Sequence, residues 1–127
     1  MSIVSESVRQ SLSTFGTITT YTAPINSMYK VNLYASVIPS KNAGGIFVIV
    51  EWSDRVHPVL EESYSLSYSS PAGYQWQQGN YLQYLSVCLP IKLQSGATVT
   101  IITKDQEGNT AAPSGSSYDI SCFIELV

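Results

Sequence analysis

The chain has 127 residues, of which only 12% are charged, and a net charge of −3. That length supports one domain able to bury a core without a disulfide or metal, and the charged fraction is about half the roughly 25% of an average soluble domain. Its six basic residues are scattered rather than clustered, which excludes a cationic surface for nucleic acid.

Residues 1–13 carry Ile3, Val4, Val8 and Leu12. Val4, Val8 and Leu12 recur every four residues and can line one face of a short helix, although Ser5, Ser7 and Ser11 weaken it. A frayed terminus and an arm that orders on a partner are the other readings. No apolar run is long enough for a signal peptide or a membrane-spanning helix. The expectation is synthesis in the cytoplasm.

From residue 14 onward the pattern is that of strands. Residues 14–22 are Thr-rich, with Phe15, Ile18 and Tyr21, and end at Ala23-Pro24. Residues 29–38 alternate cleanly. Tyr29, Val31, Leu33, Ala35 and Val37 share one face; Lys30, Asn32, Tyr34 and Ser36 share the other. A Pro/Gly loop at 39–45 leads to residues 46–52, apolar at nearly every position, as in a strand buried on both faces or one with a face at a subunit interface. Residues 64–84 combine a short strand with a Tyr-, Ser-, Gln- and Gly-rich loop. Tyr68, Tyr74 and Trp76 in this loop are candidates for a ligand surface; Tyr81 and Tyr84 read as core or as a seam between copies.

Residues 81–103 read as strand, Gly turn and strand, the mark of a half-buried antiparallel hairpin. A turn at 104–109 and a flexible loop at 110–117 precede the last strand, 118–127. There Tyr118, Ile120, Cys122, Ile124 and Leu126 share one face, and Phe123 lies on the other. About seven or eight short strands with Gly/Pro/Ser turns indicate an all-β sandwich or jelly roll.

Catalytic signals are absent. His57 is the only histidine, and Asp54, Glu61 and Glu62 lie near it. On a strand Glu61 and Glu62 point to opposite sides, so the group does not converge as metal ligands must. No G-x-S-x-G elbow accompanies the serines, and no supported carboxylate pair serves glycoside hydrolysis. The expectation is a protein that is not an enzyme and holds no cofactor. Cys88 and Cys122 both fall in predicted strands and read as small core hydrophobes.

The order of these segments resembles the trimeric jelly roll of the tumour-necrosis-factor and complement type. The resemblance rests on Tyr21-Thr-Ala-Pro24, Tyr29, the run from Leu93 to Val99, and Phe123 in a closing strand, and it covers about residues 20–127. Ser27 stands where that family has Gly, and Ala97 where it has Asp. The variants Met28-Tyr-Lys-Val-Asn-Leu-Tyr34 and Val50-Glu-Trp-Ser-Asp54 look like bacteriophage structural proteins with this fold. The resemblance implies an antiparallel sandwich of jelly-roll topology over 14–127, preceded by an arm at 1–13. It implies a homotrimer with Tyr29, Tyr34, Leu93, Val99 and Phe123 in the core or at the trimer seam.

The function it implies is capsid decoration. A trimer on the outside of the virion would bind the major capsid protein through an arm carrying Ile3, Val4, Val8 and Leu12. The short stretch before the first strand favours decoration over a fibre tip, which follows a long shaft. The rival expectation is a fibre head or lectin-like domain that binds a host receptor or glycan through Tyr68, Tyr74 and Trp76.

Overall fold

A computed structural model describes residues 2–38, 44–68, 83–113 and 115–127. It is all-β, with eight strands: β1 Ser2–Leu12, β2 Thr17–Thr22, β3 Ser27–Val37, β4 Gly45–Trp52, β5 Leu60–Ser67, β6 Tyr84–Leu93, β7 Thr98–Asp105 and β8 Tyr118–Leu126. They form two four-stranded sheets, ordered β1-β8-β3-β6 and β2-β7-β4-β5. Every pairing is antiparallel. No helix long and apolar enough to cross a membrane occurs among the described residues.

The alternation of β3 and β8 is the alternation of burial. Tyr29, Val31, Leu33, Ala35 and Val37 face inward with Tyr118, Ile120, Cys122 and Ile124. From the second sheet Ile46, Val48, Val50, Leu66, Val99 and Ile101 close over them. Each Val, Leu or Ile among them, taken fully out of water, contributes roughly 1.5–3 kcal/mol before chain entropy is counted. β4 lies between β7 and β5, and its outward Ile49 is buried as well as its inward residues. This explains a segment apolar at nearly every position.

Two expectations are corrected. Residues 2–12 form a strand, not a helix. β1 pairs with β8 along its length, with irregularities between Ile3 and Ser5 and between Arg9 and Leu12. The first sheet therefore includes the segment expected to be an arm. Val4 and Leu12 pack on the core, whereas Ile3 and Val8 are exposed. The four-residue spacing was not a helical face but the outcome of an alternation interrupted by bulges.

The hairpin expected over 81–103 is not formed by β6 and β7. β6 pairs with β3 and β7 with β2 and β4, so the chain crosses from one sheet to the other between them. The crossing is a tight turn in which the Ala97 N–H donates to the Gln94 carbonyl at 2.9 Å. Gly96 takes φ +88° there, the left-handed third position of a type II turn. The β2–β3 connection crosses beside it, and the two are fastened together. Ala23 N–H donates to Ala97 O and Gly96 N–H to Ala23 O, both at 2.8 Å. Ser95 N–H donates to Asn26 Oδ1 at 2.7 Å, and Ser95 Oγ–H to Pro24 O at 3.0 Å.

The described part of the 110–117 loop is pinned. Ala112 N–H donates to Ser13 O, and Phe15 N–H to Thr110 O. Beneath it the Tyr118 hydroxyl donates to Thr14 O at 2.6 Å and lies 2.9 Å from Thr103 Oγ1. The Phe15 ring stacks on that of Tyr118.

Candidate functional site

With the inward residues committed to the core, the informative surface is the outer face of the first sheet. Pairing across β1-β8-β3-β6 lays the outward side chains in rows. Val8, Ser121, Tyr34 and Ser86 form one row. Glu6, Phe123, Asn32 and Cys88 form the next, and Ile3, Glu125, Lys30 and Pro90 the one beyond. On the other side of the Tyr34 row lie Asp119, Ser36 and Tyr84.

The middle of this face is aromatic. Tyr34 is 48% exposed, and its ring stacks with that of Tyr84 at 6.2 Å between centroids and 23° between planes. A shallow groove of about 280 Å³ beside the pair is lined by Asn32, Tyr34, Ser86, Cys88 and Phe123. One wall is fixed, because Asn32 Nδ2 donates to Glu125 Oε1 at 2.7 Å. That bond also engages the Glu125 carboxylate. Phe123 and Tyr34 present large rings on a β surface held rigid on both sides.

The expected seam-or-core residues divide. Tyr29, Leu93 and Val99 are core; only Tyr34 and Phe123 reach the outer face. Tyr84 is the residue that sequence reasoning left undecided. The available signal was Tyr34 itself, an aromatic on the polar side of a cleanly alternating strand. Among the ligand-loop candidates, Tyr68 is fully enclosed, and burial drives its hydroxyl pKa well above the ordinary tyrosine value. It does not belong to an exposed platform. Tyr74, Trp76 and Tyr81 lie outside the described residues.

Of the two cysteines expected in the core, Cys122 is buried but Cys88 is exposed on the outer face, and both are free. They lie on opposite faces of the sheet, with β3 between their strands, so a disulfide would require the sheet to be rebuilt. Burial pushes the Cys122 thiol up to about 11.

Asp54 and His57 do come together, in the β4–β5 connection. Asp54 Oδ1 accepts the Val56 and His57 N–H groups at 2.8 and 2.6 Å, and the imidazole Nδ1 lies 3.1 Å from both carboxylate oxygens. These bonds, led by the His57 N–H, hold the Asp54 carboxyl below its usual range. The pair closes an exposed turn. Among the described residues no three His, Cys, Asp or Glu side chains gather as metal ligands would.

The chain matches no protein-family model, no curated protein and no solved structure.

Proposed function

We propose that this is a structural, non-catalytic protein of jelly-roll topology that assembles as a homotrimer through the outer face of the first sheet and decorates a bacteriophage capsid. The jelly roll is supported by the strand pairing. β1 neighbours β8, β2 neighbours β7, β3 neighbours β6 and β4 neighbours β5. Each strand thus lies beside the one that completes nine, the arrangement obtained by rolling one long folded ribbon into two sheets.

The observation that carries the assembly reading is the Tyr34–Tyr84 stack beside Phe123 on the outer face of the sheet, with Tyr34 exposed and the other two half-buried. Aromatic anchors of this kind dominate the energetics of protein interfaces. A charged fraction of 12% suits a surface largely given over to neighbours. Capsid decoration rests on the resemblance of the chain to phage structural proteins. A trimer bound only to the assembled shell would stabilise it by mass action, and three equivalent contacts would add avidity.

The test has two stages. Native mass measurement should give three times the chain mass of 13.9 kDa; a monomer at micromolar concentration would sink the assembly reading. Capsids of the encoding phage, stripped of the protein and then supplemented with it, should bind it and resist heating better. If the trimer forms but ignores capsids, decoration fails and assembly stands.

A further inference from the structure

The end of the sandwich where the chain crosses between sheets carries a second, larger cavity. The β2–β3, β4–β5 and β6–β7 connections gather there. The cleft holds about 490 Å³ and is lined by Asn26, Met28, Arg55, Val56, Lys92 and Gln94, among others. That volume lies within the range of small-molecule sites. Unlike the outer-face groove it is walled by two cations. In a chain of net charge −3, Arg55 and Lys92 meet at one cleft, and neither forms an ion pair among the described residues.

The one carboxylate in the lining is occupied. Asp54 spends Oδ1 on two backbone N–H groups of its own turn, with His57 beside both oxygens. That turn also fixes the connection that carries Arg55 and Val56. Asn26 is similarly held: its Oδ1 accepts from Ser95 N–H, which leaves its Nδ2 as a donor. Val56 is 72% exposed, the most open large apolar side chain among the described residues, and Met28 lines the same cleft. Two cations without an ion pair among the described residues, amide groups and an apolar patch together match one ligand chemistry. A negatively charged group answers the cations, hydroxyls answer the amides, and a flat C–H face answers the apolar side chains.

We propose that this cleft binds an acidic sugar, with its carboxylate recognised by Arg55 and Lys92 and its ring against Met28 and Val56. The site belongs to the single chain and does not depend on assembly or on capsid binding. It lies at the sandwich end formed by residues 23–26, 53–59 and 94–97.

The test is a titration of the ¹⁵N-labelled protein with glucuronate and N-acetylneuraminate, with glucose and sodium acetate as the neutral-sugar and bare-carboxylate controls. At least one acidic sugar should shift the amides of residues 26–28, 54–56 and 92–94, and should bind more tightly than either control. Arg55→Gln with Lys92→Gln should weaken that binding by about tenfold or more, as expected when charge-assisted hydrogen bonds are lost. Val56→Ser, at an exposed position that leaves the core intact, should weaken sugar but not acetate. No shift of these amides at tens of millimolar acidic sugar overturns the proposal. So does acetate binding as well as the sugars, which would make the cleft a bare anion contact.

Discussion

The two sheets share a core but present different surfaces. On the first sheet, strands expose Ile3, Val8 and Tyr34; no strand of the second exposes a large apolar side chain among the described residues. The second sheet's outer rows instead include Thr20, Thr100, Glu51 and Glu61 in line across β2-β7-β4-β5. Its outward apolar positions are closed further: Ile49 is buried, and Phe47 and Ile102 are half-buried. The first face leaves large apolar side chains open to water, whereas the second leaves them at most half open. In a sandwich the inner faces are dictated by folding, so an asymmetry between outer faces points to use.

The largest expected effect ignores that asymmetry, and so provides its control. Ile124 on the first sheet and Ile101 on the second are both fully buried. Ile124→Ala and Ile101→Ala should each cost about 2–5 kcal/mol, through lost burial and the cavity left behind. Urea unfolding should give comparable losses for the two. If one proved mild, the core would not be shared equally.

The next effect should fall on one face alone. Phe123→Asp with Tyr34→Asp should turn the assembled protein into monomers without loss of strand content, because truncation of aromatic anchors typically costs 2 kcal/mol or more per interface. Thr100→Asp, on the opposite outer face, should leave the mass unchanged. Sedimentation of the three proteins decides it, and dissociation by Thr100→Asp would reverse the assignment of the faces.

How much of this was legible depends on the range of the interaction. The alternation of residues 29–37 and 118–126 announced both strands and their inward faces, because side-chain direction follows the local backbone. The burial of β4 was also readable from Ile46 to Val50. What escaped was pairing. Gln94–Ala97 has the composition of a hairpin turn, yet it joins strands in different sheets; the partners of β6 and β7 lie dozens of residues away and leave no local mark. β1 escaped for another reason. Its irregularities beside Val4 and at Ser11, the latter at φ 54°, break the period of two and imitate a period of four. Of the candidate surface, Tyr34 was visible as an aromatic among polar neighbours. Its stacking with Tyr84 required the β3–β6 register, and the cationic cleft required three connections to meet.

The two cysteines report on the same sheet from its two sides. Cys88 should react with a thiol reagent in the native protein and be shielded on assembly, whereas Cys122 should react only after unfolding. Burial raises the Cys122 thiol from its ordinary 9.0 to about 11, so folding favours the protonated form. The associated stability is fully present below pH 9 and is lost as pH rises through about 11. Cys122→Ala should remove its share of the alkaline loss seen in urea midpoints, and an unchanged slope would mean that the thiol does not contribute.

The smallest effect tests whether the second sheet's outer face is finished for water alone. Glu51 and Glu61 stand directly opposite on β4 and β5, and like charges facing across a pair of strands are destabilising. Glu61→Lys turns that repulsion into attraction and should stabilise the monomer by about 0.2–1 kcal/mol, with the gain shrinking as salt screens the pair. It should leave trimer mass untouched, because nothing in the proposed assembly uses this face. A gain in stability with unchanged mass supports the reading of the second face as a solvent surface. A loss of assembly would mean that the acidic pair serves a contact, and the asymmetry between the two sheets would then mark two kinds of interface rather than an interface and a free face.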